Sequence, residues 1–190
     1  MSPPSIATLA PAALDMSNDV DAPAFRQAMS LFATGVTVIT TRADGERAGM
    51  TASAVCSLSM APIQLLVCIG HRLPTHSALT ESKRFAVNVL CEEQASLARR
   101  FATPGIDKFA GVPVSEHLGV PVLHGALAVF VCDVSERLPG GDHSIFIGRV
   151  RAAARRDNAR PLLYYASGFG TLATTEDALM KAWIERGAAL

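Results

Sequence analysis

The chain has little charge and few aromatic side chains for its length. Of its 190 residues, 18% are charged and 6% are aromatic, and 17 basic residues balance 17 acidic ones. A neutral chain has no general field that attracts nucleic acid or an anionic membrane, so we expect neither as a partner. Hydrophobic residues make up 49% of the chain, more than a small monomer needs. This excess predicts that a second subunit covers part of the surface.

Three further features are lacking. The first twenty residues contain no lysine or arginine and no sustained apolar run, so they resemble neither a signal peptide nor a membrane anchor. We expect residues 1–20 to be a disordered tail. The four cysteines form no CxxC pair, and no paired histidines have zinc-ligand spacing. We therefore expect no metal site, and we expect reduced, buried cysteines in a cytoplasmic protein.

The chain does contain a series of β-strand patterns, flanked by helices. Asp21 and Pro23 predict the start of a first helix, and further helices are expected over residues 77–82 and 92–101. A C-terminal helix is expected over residues 175–190. Residues 103–122, rich in glycine and proline, predict a long loop. The expected strands are 36–41, a polar return strand after the turn at 43–45, 63–69, 85–90, 126–138, 144–154 and 161–166.

These patterns predict a single mainly β domain. Six or so antiparallel strands, with helices at the edges and crossovers, amount to a small closed or nearly closed barrel, because closure removes exposed sheet edges. The length of the chain suits one such domain with tails. The fold alone does not define a function.

The polar strand is the least ordinary segment. Thr51, Ser53, Ser57 and Ser59 stand among small residues where a barrel core would favour valine, isoleucine or leucine. Small side chains let a flat ligand approach the backbone, and hydroxyls suit a ring edge or a polyol chain. The alternative is an edge strand with a solvated face. Composition favours neither interpretation.

Three other places carry candidate ligand groups. Residues 70–76 mix turn residues with cationic side chains and predict a phosphate loop. Arg99 and Arg100 end a helix, where the simple interpretation is that they complement its dipole. His143, in the sequence GGDH, joins two long strands, and its simple interpretation is an exposed turn residue.

An ordered set of motifs runs along residues 25–172: FATGVTVITT, GMTASAVCSLS, Cys68-Ile69, FAVNVL, Arg100-Phe101-Ala102, DKFAG, GALAVFVCDV, GGDH and PLLYY. This set resembles the short-chain flavin reductases that supply two-component monooxygenases. It implies an antiparallel six-stranded Greek-key split β-barrel over residues 21–174 that binds FMN or FAD and forms a homodimer. It also implies that NADH or NADPH reduces the flavin, which passes to an oxygenase partner.

The resemblance also implies roles for individual residues. Met50, Thr51, Ser53 and Ala54 would lie along the isoalloxazine, and Arg100 with Phe101 would close the phosphate end. His143 would orient the nicotinamide without acting as a general base, and Phe169 would help to cover it. The implied cofactor-binding set is Gly49, Met50, Thr51, Ala52, Ser53, Ala54, Ser59, Cys68, Ile69, Gly70, Thr75, Arg100, Phe101, His143 and Phe169.

Two competing interpretations come from the same barrel. One is a flavin- or haem-binding module without turnover, against which the GGDH histidine argues because a passive binder has no use for it. The other is a relative of pyridoxamine phosphate oxidase, which would need more basic residues for a second phosphate.

Overall fold

The computed structural model describes Met16 and residues 18–173. The expected C-terminal helix over residues 175–190 and most of the expected tail over residues 1–20 lie outside the described residues. Within the described part, no helix has both the length and the apolar character needed to span a membrane.

Among the described residues, three α-helices and a single turn of 3₁₀ helix flank the sheets. They are α1 (Ala22–Ser30), α2 (Pro74–Ser82), the 3₁₀ turn (Glu92–Gln94) and α3 (Ala95–Ala102). Asp21 caps α1 as predicted, because its Oδ1 accepts the Ala24 N–H at 2.8 Å. Helix α2 begins three residues earlier than predicted, since Pro74 occupies its first turn, where no N–H is needed.

The main sheet has seven antiparallel strands, where six were predicted. In spatial order they are β3 (Glu46–Ala52), β2 (Thr37–Ala43), β6 (Arg84–Val89), β9 (Ala128–Gly140), β10 (His143–Arg155), β5 (Ile63–Gly70) and β4 (Val55–Met60). The polar segment accounts for the difference, because it forms two strands, β3 and β4, that lie at opposite edges of the sheet. No pairing between these two edges is present in the described chain.

Two smaller sheets complete the fold. One joins β1 (Thr34–Gly35), β11 (Leu163–Tyr165) and β12 (Gly168–Gly170), and the other is a hairpin of β7 (Val114–His117) and β8 (Val120–Leu123). The hairpin corrects the prediction of a long loop over residues 103–122. The two residues of the hairpin turn, Leu118 and Gly119, both have positive φ, which is typical of a tight two-residue turn. Because this turn is compact, the hairpin fits between the glycine- and proline-rich segments on either side.

The core draws on most strands of the main sheet. One buried cluster unites Ile39 of β2, Val67 of β5, Phe85 of β6, Cys132 of β9 and Phe146 of β10. The continuous apolar sequence of β5 predicts a strand that is buried on both faces. Burial instead alternates along β5, with residues 65, 67 and 69 buried, so only one face of the strand is fully covered.

The cysteines are all free, but they are not all buried. Cys91 and Cys132 are buried as predicted, Cys68 is half-buried and Cys56 is exposed. The prediction was wrong for Cys56 because it lies on β4, an edge strand with three consecutive exposed residues.

Candidate active site

A cleft lies where β3, the start of α2 and the loop after α3 meet. It encloses about 900 Å³, including space open to solvent, which is within the size range of cofactor sites. Its lining includes Arg47, Ala48, Gly49, Leu73, Pro74, Thr75, Ala102, Pro104, Gly105, Ile106, Asp107, Lys108 and Phe109. We call it the α2 cleft.

The first turn of α2 forms one end of the cleft. Leu73 occupies the cap position and makes no side-chain capping bond, while Thr75 is 2% exposed and lines the cleft. The N–H groups at the start of a helix carry partial positive charge and favour anions, but Pro74 has no N–H and that of His76 bonds to the Leu73 carbonyl at 2.9 Å. Thr75, one of the cofactor-binding residues that the resemblance implied, therefore lines a cleft at the start of a helix.

Lys108 adds a cation to the same cleft. Its Nζ donates to the carbonyl of Phe101 at 2.8 Å and to that of Gly49 at 3.2 Å, which ties β3 to the end of α3. Burial lowers the pKa of the Lys108 ammonium. Arg47, whose guanidinium lies 5.2 Å from the centre of the Phe109 ring, is a second cation in the lining.

Arg100 contacts the loop that forms one wall of the cleft. Its Nε donates to the Lys108 carbonyl at 2.9 Å and its Nη2 to the Asp107 carbonyl at 3.0 Å. The side chain of Phe101 is fully buried and meets Phe109 edge-on, with ring centres 5.0 Å apart. Both residues thus shape the loop. The hydrogen-bond partners of the Arg100 guanidinium in this structure are loop carbonyls, whereas the resemblance implied a phosphate.

A second cleft of about 600 Å³ follows the other end of β3. Thr51, Ala52 and Ser53 line it together with Arg99 and Phe169. The Thr51 hydroxyl donates to the Ala98 carbonyl at 2.6 Å, and the Arg99 guanidinium lies over the Phe169 ring at 5.1 Å. Phe169 and Arg99 therefore line the same cleft. The cover over a nicotinamide that the resemblance implied for Phe169 stays a prediction.

The remaining residues of the polar segment are spread along the sheet. Met50 packs partly against the core, and the Ala54 carbonyl accepts the Cys68 N–H at 3.0 Å in the exposed connection between β3 and β4. Ser59 pairs with Gln64, near the Ile63 end of β5. Met50 and Ala54 are chain neighbours of residues that line the clefts but do not line these clefts themselves, and Ser59 lies apart.

The end of β5 carries the next group of predicted residues. Ile69 is fully buried in the core, so its side chain cannot reach a ligand, whereas Cys68 is half-buried, with burial raising the pKa of its thiol. Gly70 lies directly opposite His143 in the pairing of β5 with β10. A Cβ at Gly70 would stand 3.5 Å from Nε2 of His143, so the missing side chain leaves the imidazole uncovered.

His143 itself is oriented by its neighbour in the turn. Its Nδ1 lies 2.7 Å from Oδ1 of Asp142, and the side chain is about half-exposed. This bond from His143 lowers the pKa of the Asp142 carboxyl, so the acceptor is an ionised carboxylate. The carboxylate holds Nδ1 protonated and leaves Nε2 to face a ligand.

The site consists of two clefts, which share Ala102 in their linings, and of the oriented imidazole of His143, which lines neither. Gly70, which lies beside His143, and Thr75, which lines the α2 cleft, belong to one short segment. This segment therefore connects the surroundings of the imidazole with the cleft. The described residues contain no group of three or more His, Cys, Asp or Glu that could hold a metal ion. Sequence reasoning assigned no role to Lys108, Arg47 or Asp142, although a lone lysine in a glycine-rich loop was a usable signal.

These clefts lie in a mainly β domain with antiparallel sheets, whose fold matches that of solved flavin reductases. Residues 29–173 match the model of the flavin reductase like domain, and the chain belongs to that family.

Similar proteins of known activity include reductase components of monooxygenases. The reductase component of a 4-nitrophenol 4-monooxygenase/4-nitrocatechol 2-monooxygenase from Rhodococcus opacus is 42% identical over 162 residues, covering 85% of this chain and 87% of that protein. An FMN reductase (NADH), RutF 1, from Methylorubrum extorquens is 42% identical over 156 residues, with coverage of 80% and 78%. The NADH:FAD oxidoreductase SgcE6 of Streptomyces globisporus, solved with NAD and FAD fragments, superposes with a TM-score of 0.79 at 35% identity, covering 83% and 96%.

Proposed function

We propose that this protein is an NADH-dependent flavin reductase that supplies reduced FMN or FAD to a partner monooxygenase. The reaction moves a hydride from the nicotinamide of NADH to the flavin and takes up one proton, which gives NAD⁺ and reduced flavin. The observation that carries the proposal is the half-exposed His143, oriented by Asp142 and uncovered by Gly70, at one end of a segment that leads to the α2 cleft. The family match and the relatives named as reductases support it.

We assign the flavin to the two clefts along β3. The phosphate lies at the first turn of α2, near Thr75, with Lys108 and Arg47 as local cations. The backbone from Gly49 to Ala54 borders the ring, with Thr51, Ala52 and Ser53 lining the second cleft. Small side chains there admit a flat ring, and N–H groups stabilise the negative charge that develops on it.

The nicotinamide belongs beside His143. The chemistry is supplied by the two cofactors, so the protein has to align them and exclude competing arrangements. Nε2 of a neutral His143 can hydrogen-bond to the carboxamide, and the Asp142 carboxylate fixes the ring that does so. Phe169, half-buried and edge-on to Tyr164, lines the second cleft, and in this proposal it covers the nicotinamide from the side of the flavin ring.

We propose that the main sheet closes into a split barrel. Strands β3 and β4 lie at opposite edges of the sheet, yet only two residues, Ser53 and Ala54, separate them in the chain. The two edges must therefore approach each other at this corner. The buried Ala52 of β3 packs in one cluster with Val67 of β5, which supports a curled sheet around a common core.

The surface supports a homodimer. None of the residues of α1 is buried; its apolar side chains Phe25 and Met29 are 58% and 48% exposed, and Phe32, two residues beyond its end, is 66% exposed. A helix with an uncovered apolar stripe normally packs against another surface. We expect light scattering to give twice the 20.0 kDa mass of one chain, and Phe32→Glu to shift the protein towards the monomer. A monomeric wild-type protein would remove this part of the proposal.

We place the reductase domain at residues 21–174 and the enzyme in the cytoplasm. The family match over residues 29–173 supports the domain limits. The four free cysteines suit a reducing compartment.

The direct test is the absorbance of NADH mixed with the protein and, in turn, FMN, FAD or no flavin. Flavin-dependent loss of NADH above a protein-free control establishes the reductase and ranks the two flavins; NADPH in place of NADH ranks the nucleotides. If flavin binds but neither nucleotide is oxidised, the protein is a binding module, and haem becomes the next ligand to test.

The loop held by Arg100 gives a test of the flavin site. We expect Arg100→Ala to raise the flavin Kd about five- to tenfold, because the loop that carries Lys108 loses two hydrogen bonds to a charged donor. The KM for NADH should change less than twofold. The matched control is Arg155→Ala, since Arg155 is exposed at the far end of β10 and pairs only loosely with Asp157. Equal effects of Arg100→Ala on both ligands would contradict the assignment.

A further inference from the structure

A second group of donor side chains lies next to the His143 turn, on the other face of the sheet. In the register of β9 with β10, Arg137 stands opposite Phe146, and Pro139 stands opposite Ser144. Cross-strand partners project to the same face, and consecutive residues project to opposite faces. Ser144 and Arg137 therefore share a face that His143 does not.

Two histidines meet on the Ser144 hydroxyl. Nε2 of His76 lies 2.9 Å and Nε2 of His71 lies 3.2 Å from Oγ of Ser144, which is only 5% exposed. The two imidazole rings are 5.1 Å apart. A hydroxyl has one proton, so it can donate to only one of the two rings, and the other ring must donate to it. The network thus holds both rings in fixed positions beside the adjoining space.

That space is a cavity of about 610 Å³, including volume open to solvent. Its lining consists of His71, His76, Arg137, Leu138, Pro139 and Ser144 and contains no carboxylate. In the described part of the chain Arg137 forms no salt bridge, and its Nη1 donates a hydrogen bond to the neutral Thr80 hydroxyl at 3.3 Å. Asp142, in the nearby turn, bonds to His143 instead.

The balance of charge around the cavity favours an anion. Burial lowers the pKa of His76, and the neighbouring His71 and Arg137 lower it further, as expected where cationic groups stand close together. A guanidinium, two imidazoles and a hydroxyl are the groups that bind phosphate oxygens in proteins. An anion in the cavity would accept hydrogen bonds from the guanidinium and the two imidazoles, and it would balance the positive charge of Arg137.

We propose that the cavity lined by His71, His76, Arg137 and Ser144 binds a phosphate group. The group comes either from free orthophosphate or from the phosphates of the nicotinamide dinucleotide, and the second source rests on the proposed function. The site is distinct from the α2 cleft, with which it shares no lining residue.

The test is calorimetric titration of the full-length protein, without flavin, with sodium phosphate and with sodium pyrophosphate at about pH 6.5. We expect wild-type protein to bind at least one of them, and Arg137→Gln to bind at least tenfold more weakly. Arg149→Gln is the matched control, because this substitution removes the same charge from an exposed residue of β10 that faces away from the cavity. His71→Gln, at an exposed position, serves as a second variant if Arg137→Gln does not fold.

Steady-state kinetics separate the two sources. If the dinucleotide fills the cavity, Arg137→Gln raises the KM for NADH or NADPH at least fivefold and leaves the flavin Kd unchanged. If free orthophosphate fills it, phosphate binding is lost and both KM values stay constant. Absence of phosphate and pyrophosphate binding to the wild type, or equal loss in Arg149→Gln, overturns the proposal. Phosphate binding by a protein that oxidises no NADH overturns the reductase assignment and supports the site.

Discussion

His143→Ala is expected to lower kcat/KM for NADH about 100-fold while the flavin Kd changes less than twofold. A misplaced nicotinamide costs about this much in a reaction that depends on alignment, and the factor corresponds to about 2.7 kcal/mol. The imidazole lies beside Gly70 and is held by Asp142, so its loss removes an oriented contact without opening the core. Single-turnover reduction of pre-bound flavin, with NADH varied, measures the effect.

Two further variants make this result specific to orientation. Asp142→Asn keeps the turn and the imidazole but weakens the bond to Nδ1, so it should give a smaller loss than His143→Ala. His124→Ala is the matched control, since His124 is exposed in the connection after β8 and lines none of the clefts described above. A flavin Kd that rises as much as the KM for NADH in His143→Ala would contradict the nicotinamide role.

Elements with a strong local pattern could be predicted from the sequence. The β-branched segment VTVITT became β2, the capped helix at Asp21 became α1, and GGDH became the tight end of the β9–β10 pair. Each of these depends on interactions within a few residues. The division of the polar segment into β3 and β4 could not be predicted, because it depends on which distant strands the two halves pair with.

The same limit applies to the two arginines that end α3. Consecutive helical residues point about 100° apart, so only one of the pair can face the loop that follows. The resemblance implied a ligand contact for Arg100, and it left Arg99 with the simple interpretation of complementing the helix dipole. In the structure Arg100 bonds to the carbonyls of residues 107 and 108, and Arg99 lines the second cleft over Phe169. The deciding factor is where the loop and β12 lie, which no local pattern contains.

Gly49→Ala is expected to cost about 1–3 kcal/mol of unfolding free energy and to weaken flavin binding about tenfold. A Cβ at this position would stand 2.8 Å from Cε1 of Phe101 and 3.0 Å from the Ile39 carbonyl oxygen. Phe101 is fully buried, so its ring cannot move into solvent, and β3 must shift instead. The Gly49 carbonyl is also a partner of Lys108, so the same shift disturbs a cation that lines the α2 cleft.

Gly35→Ala is the control that separates crowding from the general effect of replacing glycine. A Cβ at Gly35 meets nothing within 4 Å, and replacing glycine without strain stabilises a protein by about 0.4–1 kcal/mol. Denaturant unfolding and flavin titration of both variants give the two readouts. Because one displacement of β3 causes both losses, they should appear together in Gly49→Ala and be absent in Gly35→Ala. Destabilisation with an unchanged flavin Kd would mean that β3 and Lys108 do not border the flavin.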